Sequence, residues 1–184
     1  MNIEKETIKC EAVFSDDRKN RYSWRRIWDK DKPIACIIML NPCIADTIIC
    51  DTTTYLVVNN VARLETFGGV EIVNLFSQVT NKLNFRWNDP KELTDETNDD
   101  YIVKAAAGAG AIILAWGKGA ATNQHISNRA VEVINLLEKF KDKTYLISVG
   151  EEHGYHPLSP AVRAQWPLTK LEDTGKTTHE KTSE

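Results

Sequence analysis

The sequence predicts an α/β fold: a three-layer sandwich with a mostly parallel central sheet, helices on both faces and an antiparallel hairpin at the N-terminus. Three observations predict it. Continuous apolar runs of strand length recur along the chain, bounded by Pro, Gly or Asn. Between them lie segments with helical periodicity and helix-capping residues. The resulting alternation of strand and helix closes most simply into one parallel sheet with right-handed crossovers.

Residues 8–14 and 21–28 alternate in polarity and are joined by the turn-rich stretch 15–20, so they should form an edge hairpin or flap. Residues 35–40 (ACIIML), between Pro33 and Pro42, read as a strand buried on both faces. Asp51 can cap a helix carrying Val57, Val61 and Leu64 on one face and stopping at Gly68-Gly69. Residues 70–73 are the second core strand. Asn98 or Asp99 can cap a helix through Ala107, in an acidic run, 95–100, that should face solvent. Residues 111–115 (AIILA) are the third core strand, 126–140 are an amphipathic helix with Val133, Leu136, Leu137 and Phe140, and 145–149 are the fourth strand. No repeat is visible. Residues 1–171 are expected to be one domain, with 172–184 a polar, disordered tail.

In sheets of this kind ligands bind beyond the carboxyl ends of the strands. Unusual polar or aromatic residues stand there after each core strand: Asn41-Pro42, Asn74, Trp116-Gly117 and, in the loop after the fourth, His156-Pro157. Each has a plainer reading as well. Asn-Pro is a common turn, Asn74 can serve a neighbouring loop, Trp116 can pack in a core, and Asp51 can be an N-cap and nothing more.

The chain has 184 residues, 42% hydrophobic and 27% charged, which is the balance of an ordinary folded protein rather than a disordered or collagenous one. No apolar run approaches the roughly 20 residues that span a bilayer, and the charged opening lacks the shape of a signal peptide, so a cytoplasmic location is expected. Cys36, Cys43 and Cys50 recur every seven residues and Cys10 stands apart. That pattern matches neither a zinc site nor a disulfide framework, and free thiols with no metal or cofactor are expected. A net charge of −3 disfavours strong nonspecific binding to duplex nucleic acid.

Two resemblances are carried by these residues. Arg21-Tyr22 with Arg26 and Trp28, MLNPCIAD at 39–46, Asp51 with Thr53, Gly-Gly-Val before IVNLF at 72–76, AWG at 115–117 and HPL at 156–158 resemble the bacterial and phage domain of unknown function family 1643, which usually reads Ser-Thr where this chain has Cys43-Ile44. More distantly, the order Asn-Pro, Gly-Val…Asn, Trp-Gly and His-Pro-Leu-Ser-Pro is similar to the motifs of the uracil-DNA glycosylase superfamily. That likeness implies a water-positioning residue at Asn41, a base-reading amide at Asn74 and a leaving-base partner at His156.

The chemistry of these residue types fits such roles. An Asn carboxamide offers a donor and an acceptor in one plane, so Asn74 can read a base edge bidentately. His156 as a neutral imidazole can donate to a base carbonyl. Asn41 can orient water but cannot take its proton, and an Asp in its place would restore the carboxylate that hydrolysis prefers. Asp46 and Asp51 can supply a carboxylate or hold a ribose hydroxyl, Phe76 or Trp116 can stack on a base, and Arg129 and Arg163 can contact a phosphate. The first expected function is therefore binding of a nucleobase or nucleotide-derived small molecule, in a phage setting the sequestration of a host defence signal. The alternatives are a base-excision DNA glycosylase or a hydrolase of small nucleosides or nucleotides.

Overall fold

The hairpin β1 (Lys9–Phe14) and β2 (Arg21–Ile27) leads into β3 (Ile34–Met39), α1 (Thr52–Arg63) and β4 (Gly69–Asn74). Then follow α2 (Glu96–Gly108), β5 (Ala111–Leu114), a single turn α3 (Gly119–Thr122), α4 (Gln124–Leu136), β6 (Thr144–Ile147) and β7 (Leu168–Lys170). This computed structural model describes residues 1, 3–43, 47–80, 83–85, 90–149 and 154–173. Most of the tail expected over 172–184 lies outside them, and Leu171–Asp173 forms a 3₁₀ turn.

The strands form one sheet in the order β1-β2-β4-β3-β5-β6-β7. Its centre is the parallel set expected from the four apolar runs, with β3 between β4 and β5 and β6 beyond β5. The sheet as a whole is mixed rather than mostly parallel, because β1 and β2, β2 and β4, and β6 and β7 all pair antiparallel. The hairpin is no flap. Trp24 stands opposite Ile72 and Arg26 opposite Val70, so β2 extends the ladder along β4 and leaves β1 at the edge. The three residues of β7 are too few to show a period, which is why the sequence does not announce them.

Side chains alternate across β3 into two cores, and both faces are covered, which explains its unbroken apolar run. On one side Ala35, Ile37 and Met39 meet Val57 and Val61 of α1, with Val162 and Trp166 from the segment before β7. On the other, Cys36 and Ile38 meet Ile102, Ala105 and Ala106 of α2 and Ile126, Ala130 and Val133 of α4. Helices on both faces thus hold as read.

Helix ends depart from expectation in instructive ways. Asp51 caps α1 as predicted, its Oδ1 accepting the Thr54 N–H at 2.7 Å. That helix stops at Arg63, before the Gly68-Gly69 pair, whose purpose is close approach: a Cβ on Gly68 would lie 1.8 Å from the Asp29 carbonyl oxygen. Asp95, not Asn98 or Asp99, caps α2, and the acidic run becomes its first turn with Asn98 buried. Asn123 caps α4, which gives way after Leu136 to a 3₁₀ segment, Glu138–Lys143, that carries Phe140.

Candidate functional site

The parallel ladder of β3 and β4 runs on past the strands, with the Leu75 N–H donating to the Met39 carbonyl at 2.8 Å and the Phe76 N–H to Leu40 at 3.0 Å. Beyond that point the two chains part. The turn at Asn41-Pro42 leads towards the N-terminus of α1, and residues 77–80 run on beside the start of β2, where the Arg21 N–H donates to the Ser77 carbonyl and the Val79 N–H to the Lys19 carbonyl. The gap between them, closed by the loop after β6, is a cavity of about 380 Å³ at the carboxyl edge of the sheet. Asn41, Asp51, Asn74 and His156 all line it, joined by Arg21, Cys43 and the threonines that open α1.

Asn74, the last residue of β4, is 1% exposed. Asn98 of α2 anchors its backbone, donating its amide to the Asn74 carbonyl at 3.0 Å and to Leu75 at 3.3 Å. The Asn74 side chain is left to the cavity. Its Oδ1 faces Arg21 Nη2 at 3.5 Å, and its Nδ2 has no partner among the described residues.

Arg21 opens β2 and is 3% exposed, with its Nε and Nη1 also unpartnered among the described residues. Burial pulls its pKa down, against the opposing influence of Cys43 and Asp51. A buried donor that makes no hydrogen bond forfeits solvation, which typically costs about 1–3 kcal/mol and more for a charged group. Such groups are exceptions in folded proteins and demand a reason.

His156 is half-buried, and burial lowers its pKa while the Asp51 charge works the other way. The Leu158 N–H donates to its Nδ1 at 3.2 Å, so the neutral ring carries its proton on Nε2. Gly117 sets the ring's position. With φ at +74° it takes a left-handed conformation, and a Cβ there would come within 2.7 Å of the His156 Cβ. The Trp-Gly pair therefore serves the site through its glycine.

Asp51 does double service, as the cap of α1 and as a wall of the cavity, where its Oδ2 accepts from the Cys43 thiol. Burial first, then Asp51, push that thiol up to about 11, so it stays protonated at neutral pH. Asn41 is more committed than its motif implies. Its Nδ2 donates to the Thr80 carbonyl at 2.7 Å and to Pro42 at 3.2 Å, clasping the two loops together. An Asp at this position would set a carboxylate against two carbonyl oxygens and lose that clasp.

Other expected contacts are placed elsewhere. Phe76 is 1% exposed in the α2/α4 core, edge-on to Phe85, and its ring is not available for stacking on a base. Trp116 lines a separate apolar pocket with Leu114, Ala130 and Ile134. Arg129 is tied down in the interior: its Nε donates to the Leu75 carbonyl at 2.9 Å, and its fork pairs with Asp99 and Glu132. Burial alone would lower its pKa, but Asp99 and then Glu132 raise it. Arg163 donates to the Leu158 carbonyl at 2.7 Å on the exposed side of that loop. Asp46 lies outside the described residues.

Arg21, Cys43 and the α1 threonines did not stand out as site residues in the sequence. The available signal was Arg21 itself, an arginine opening a strand whose next residues are buried.

No curated protein and no solved structure matches the chain. A family model does, over residues 21–158, and its span includes every cavity-lining residue just described. The family is described as protein of unknown function, and the chain belongs to it: it is a DUF1643 protein.

Proposed function

We propose that the protein binds a nucleobase or nucleotide-derived small molecule in the cavity at the ends of β3 and β4. One observation carries the reading: the buried residues Asn74 and Arg21 line one cavity, and Asn74 Nδ2, Arg21 Nε and Arg21 Nη1 lack partners among the described residues. A ligand with a planar, acceptor-rich edge suits Asn74, as the carbonyl and ring-nitrogen edge of a base does, the Nε2–H of His156 adds a donor, and Arg21 is left for an anionic group of the same ligand. The cavity lies near the lower end of the roughly 300–1,000 Å³ usual for small-molecule sites, which suits a single small ligand better than a nucleic acid duplex. The likeness of motif order to the uracil-DNA glycosylase superfamily supports the same reading by analogy only. In a phage, such a protein would withdraw a nucleotide defence signal from its host.

Titration calorimetry with free bases, nucleosides and nucleotides tests the proposal. Asn74→Ala should weaken binding by about 1–3 kcal/mol, the usual size of a bidentate base contact. Binding unaffected by that change would sink it.

A second reading, cleavage of an N-glycosidic bond, rests on Asp51 and His156 lining the same cavity. There the carboxylate would activate water and the imidazole would stabilise the departing base. Chromatographic detection of free base over several turnovers, slowed far more in kcat than in KM by His156→Ala, would favour it over binding alone.

A further inference from the structure

We propose that the cavity contains an oxyanion subsite, in which the guanidinium of Arg21 and the first turn of α1 together hold the phosphate of the ligand. The subsite deepens the nucleotide reading and rests on it for the base end of the ligand. Two independent features meet here. The first is Arg21, 3% exposed and lining the cavity with two of its three guanidinium nitrogens unpartnered among the described residues. The second is the N-terminus of a helix 12 residues long, whose Thr52, Thr53 and Thr54 line the same cavity.

The hydrogen bonds of that turn show what remains to be satisfied. The Thr54 N–H goes to Asp51 Oδ1 and the Tyr55 N–H to the Asp51 carbonyl. Helix geometry gives the Thr52 and Thr53 N–H groups no partner within the helix. Backbone N–H groups at a helix start, with the positive end of its dipole, favour an anion. An arginine fork presents parallel donors to the same oxygens. The donors outnumber what one planar carboxylate accepts in a single orientation, and they suit the three terminal oxygens of a phosphate.

Asp51 is the acidic side chain that must be reconciled with an anion. Its Oδ1 is turned onto the Thr54 N–H and its Oδ2 onto the Cys43 thiol, so each oxygen already accepts one bond from the protein. Its charge offsets that of Arg21 through space but leaves Arg21 Nε and Nη1 without acceptors among the described residues. The contrast with Arg129, whose carboxylates bond it directly, marks Arg21 as a residue held ready for a ligand.

The test is titration of the full chain with inorganic phosphate, the four ribonucleosides and their 5′-monophosphates. A monophosphate should bind on the order of tenfold or more tightly than its nucleoside, as charge-assisted hydrogen bonds imply. Arg21→Gln should abolish that preference, so that monophosphate and nucleoside bind about equally. Asp51→Asn keeps a good N-cap and removes a negative charge, so it should strengthen monophosphate binding and serves if Arg21→Gln does not fold. Equal affinity for nucleoside and monophosphate, both lost in Asn74→Ala, would overturn the subsite and leave the base reading standing. Inorganic phosphate bound through Arg21, with no gain from any nucleoside, would do the reverse. No binding of any probe overturns both.

Discussion

Two arginines, both buried and both beside the end of β4, show how differently one side chain can be used in this protein. Arg129 is 7% exposed and fully engaged, holding the Leu75 carbonyl and two carboxylates. Arg21 is 3% exposed and makes one long contact, to Asn74. The first secures the end of the strand from the helical side. The second lines a cavity, with its Nε and Nη1 unpartnered among the described residues. A buried charge is tolerable when paired and costly when not, so the pair separates structural duty from readiness to bind within a few residues of the same strand.

Replacing each by Met breaks the comparison most sharply. Arg129→Met should destabilise the fold by roughly 3 kcal/mol, towards the low end for a broken buried ion pair because Asp99 and Glu132 reach solvent. Arg21→Met should leave stability unchanged or raise it by about 1 kcal/mol, since an unsatisfied charge is removed. Urea denaturation of the two variants decides. Equal losses would mean that Arg21 is structural too.

Asn41 extends the comparison to an amide. Because its Nδ2 bonds to Thr80 and Pro42, Asn41→Asp should cost about 2 kcal/mol and create no release of free base. Thermal denaturation and chromatography check the two halves separately. New base release would restore Asn41 to the water-positioning role its motif suggests.

A smaller effect is expected at Gly117. An Ala there must hold φ near +74° and crowd the His156 Cβ, which should cost about 1–2 kcal/mol and displace the imidazole. The His156 ring resonances report that displacement directly. An unshifted ring would show that the loop after β6 is positioned without this contact.

The smallest effect is the pH dependence of His156. Its folded pKa lies below the ordinary value near 6.5 because burial disfavours the charged ring. The unfolded chain therefore takes up this proton first as pH falls. The stabilisation is complete above about 6.5 and is lost as pH drops towards and through the folded value. An NMR titration of wild type beside His156→Gln, with stability measured from pH 8 to 5, should show the slope in wild type alone. A ring that titrates above 6.5 would place it among charged rather than neutral donors.

Local pattern explains what was readable from residues alone. The four apolar runs became the four parallel strands, since a strand buried on both faces needs no partner's identity to be recognised. Asp51 was legible as a cap because a cap bonds within its own turn. The gathering of Asn41, Asp51, Asn74 and His156 at one edge follows from strand direction. Phe76 misled because strand-end position does not say which face a side chain takes, and β7 was missed because three residues carry no period.

The sequence by itself thus determined the layers, the central strands and the edge at which a site would form, all of which rest on periodicity and on interactions within a few residues. Only the tertiary structure decided which polar groups would be satisfied. Arg21 meets Asn74 across 53 positions of chain and Arg129 meets Leu75 across 54. Glu132, three residues on, is the partner of Arg129 that sequence proximity offers, and that arginine's contacts with Leu75 and Asp99 come from distant segments. Whether a buried donor finds an acceptor depends on which distant segment packs over it, and packing is a property of the assembled layers.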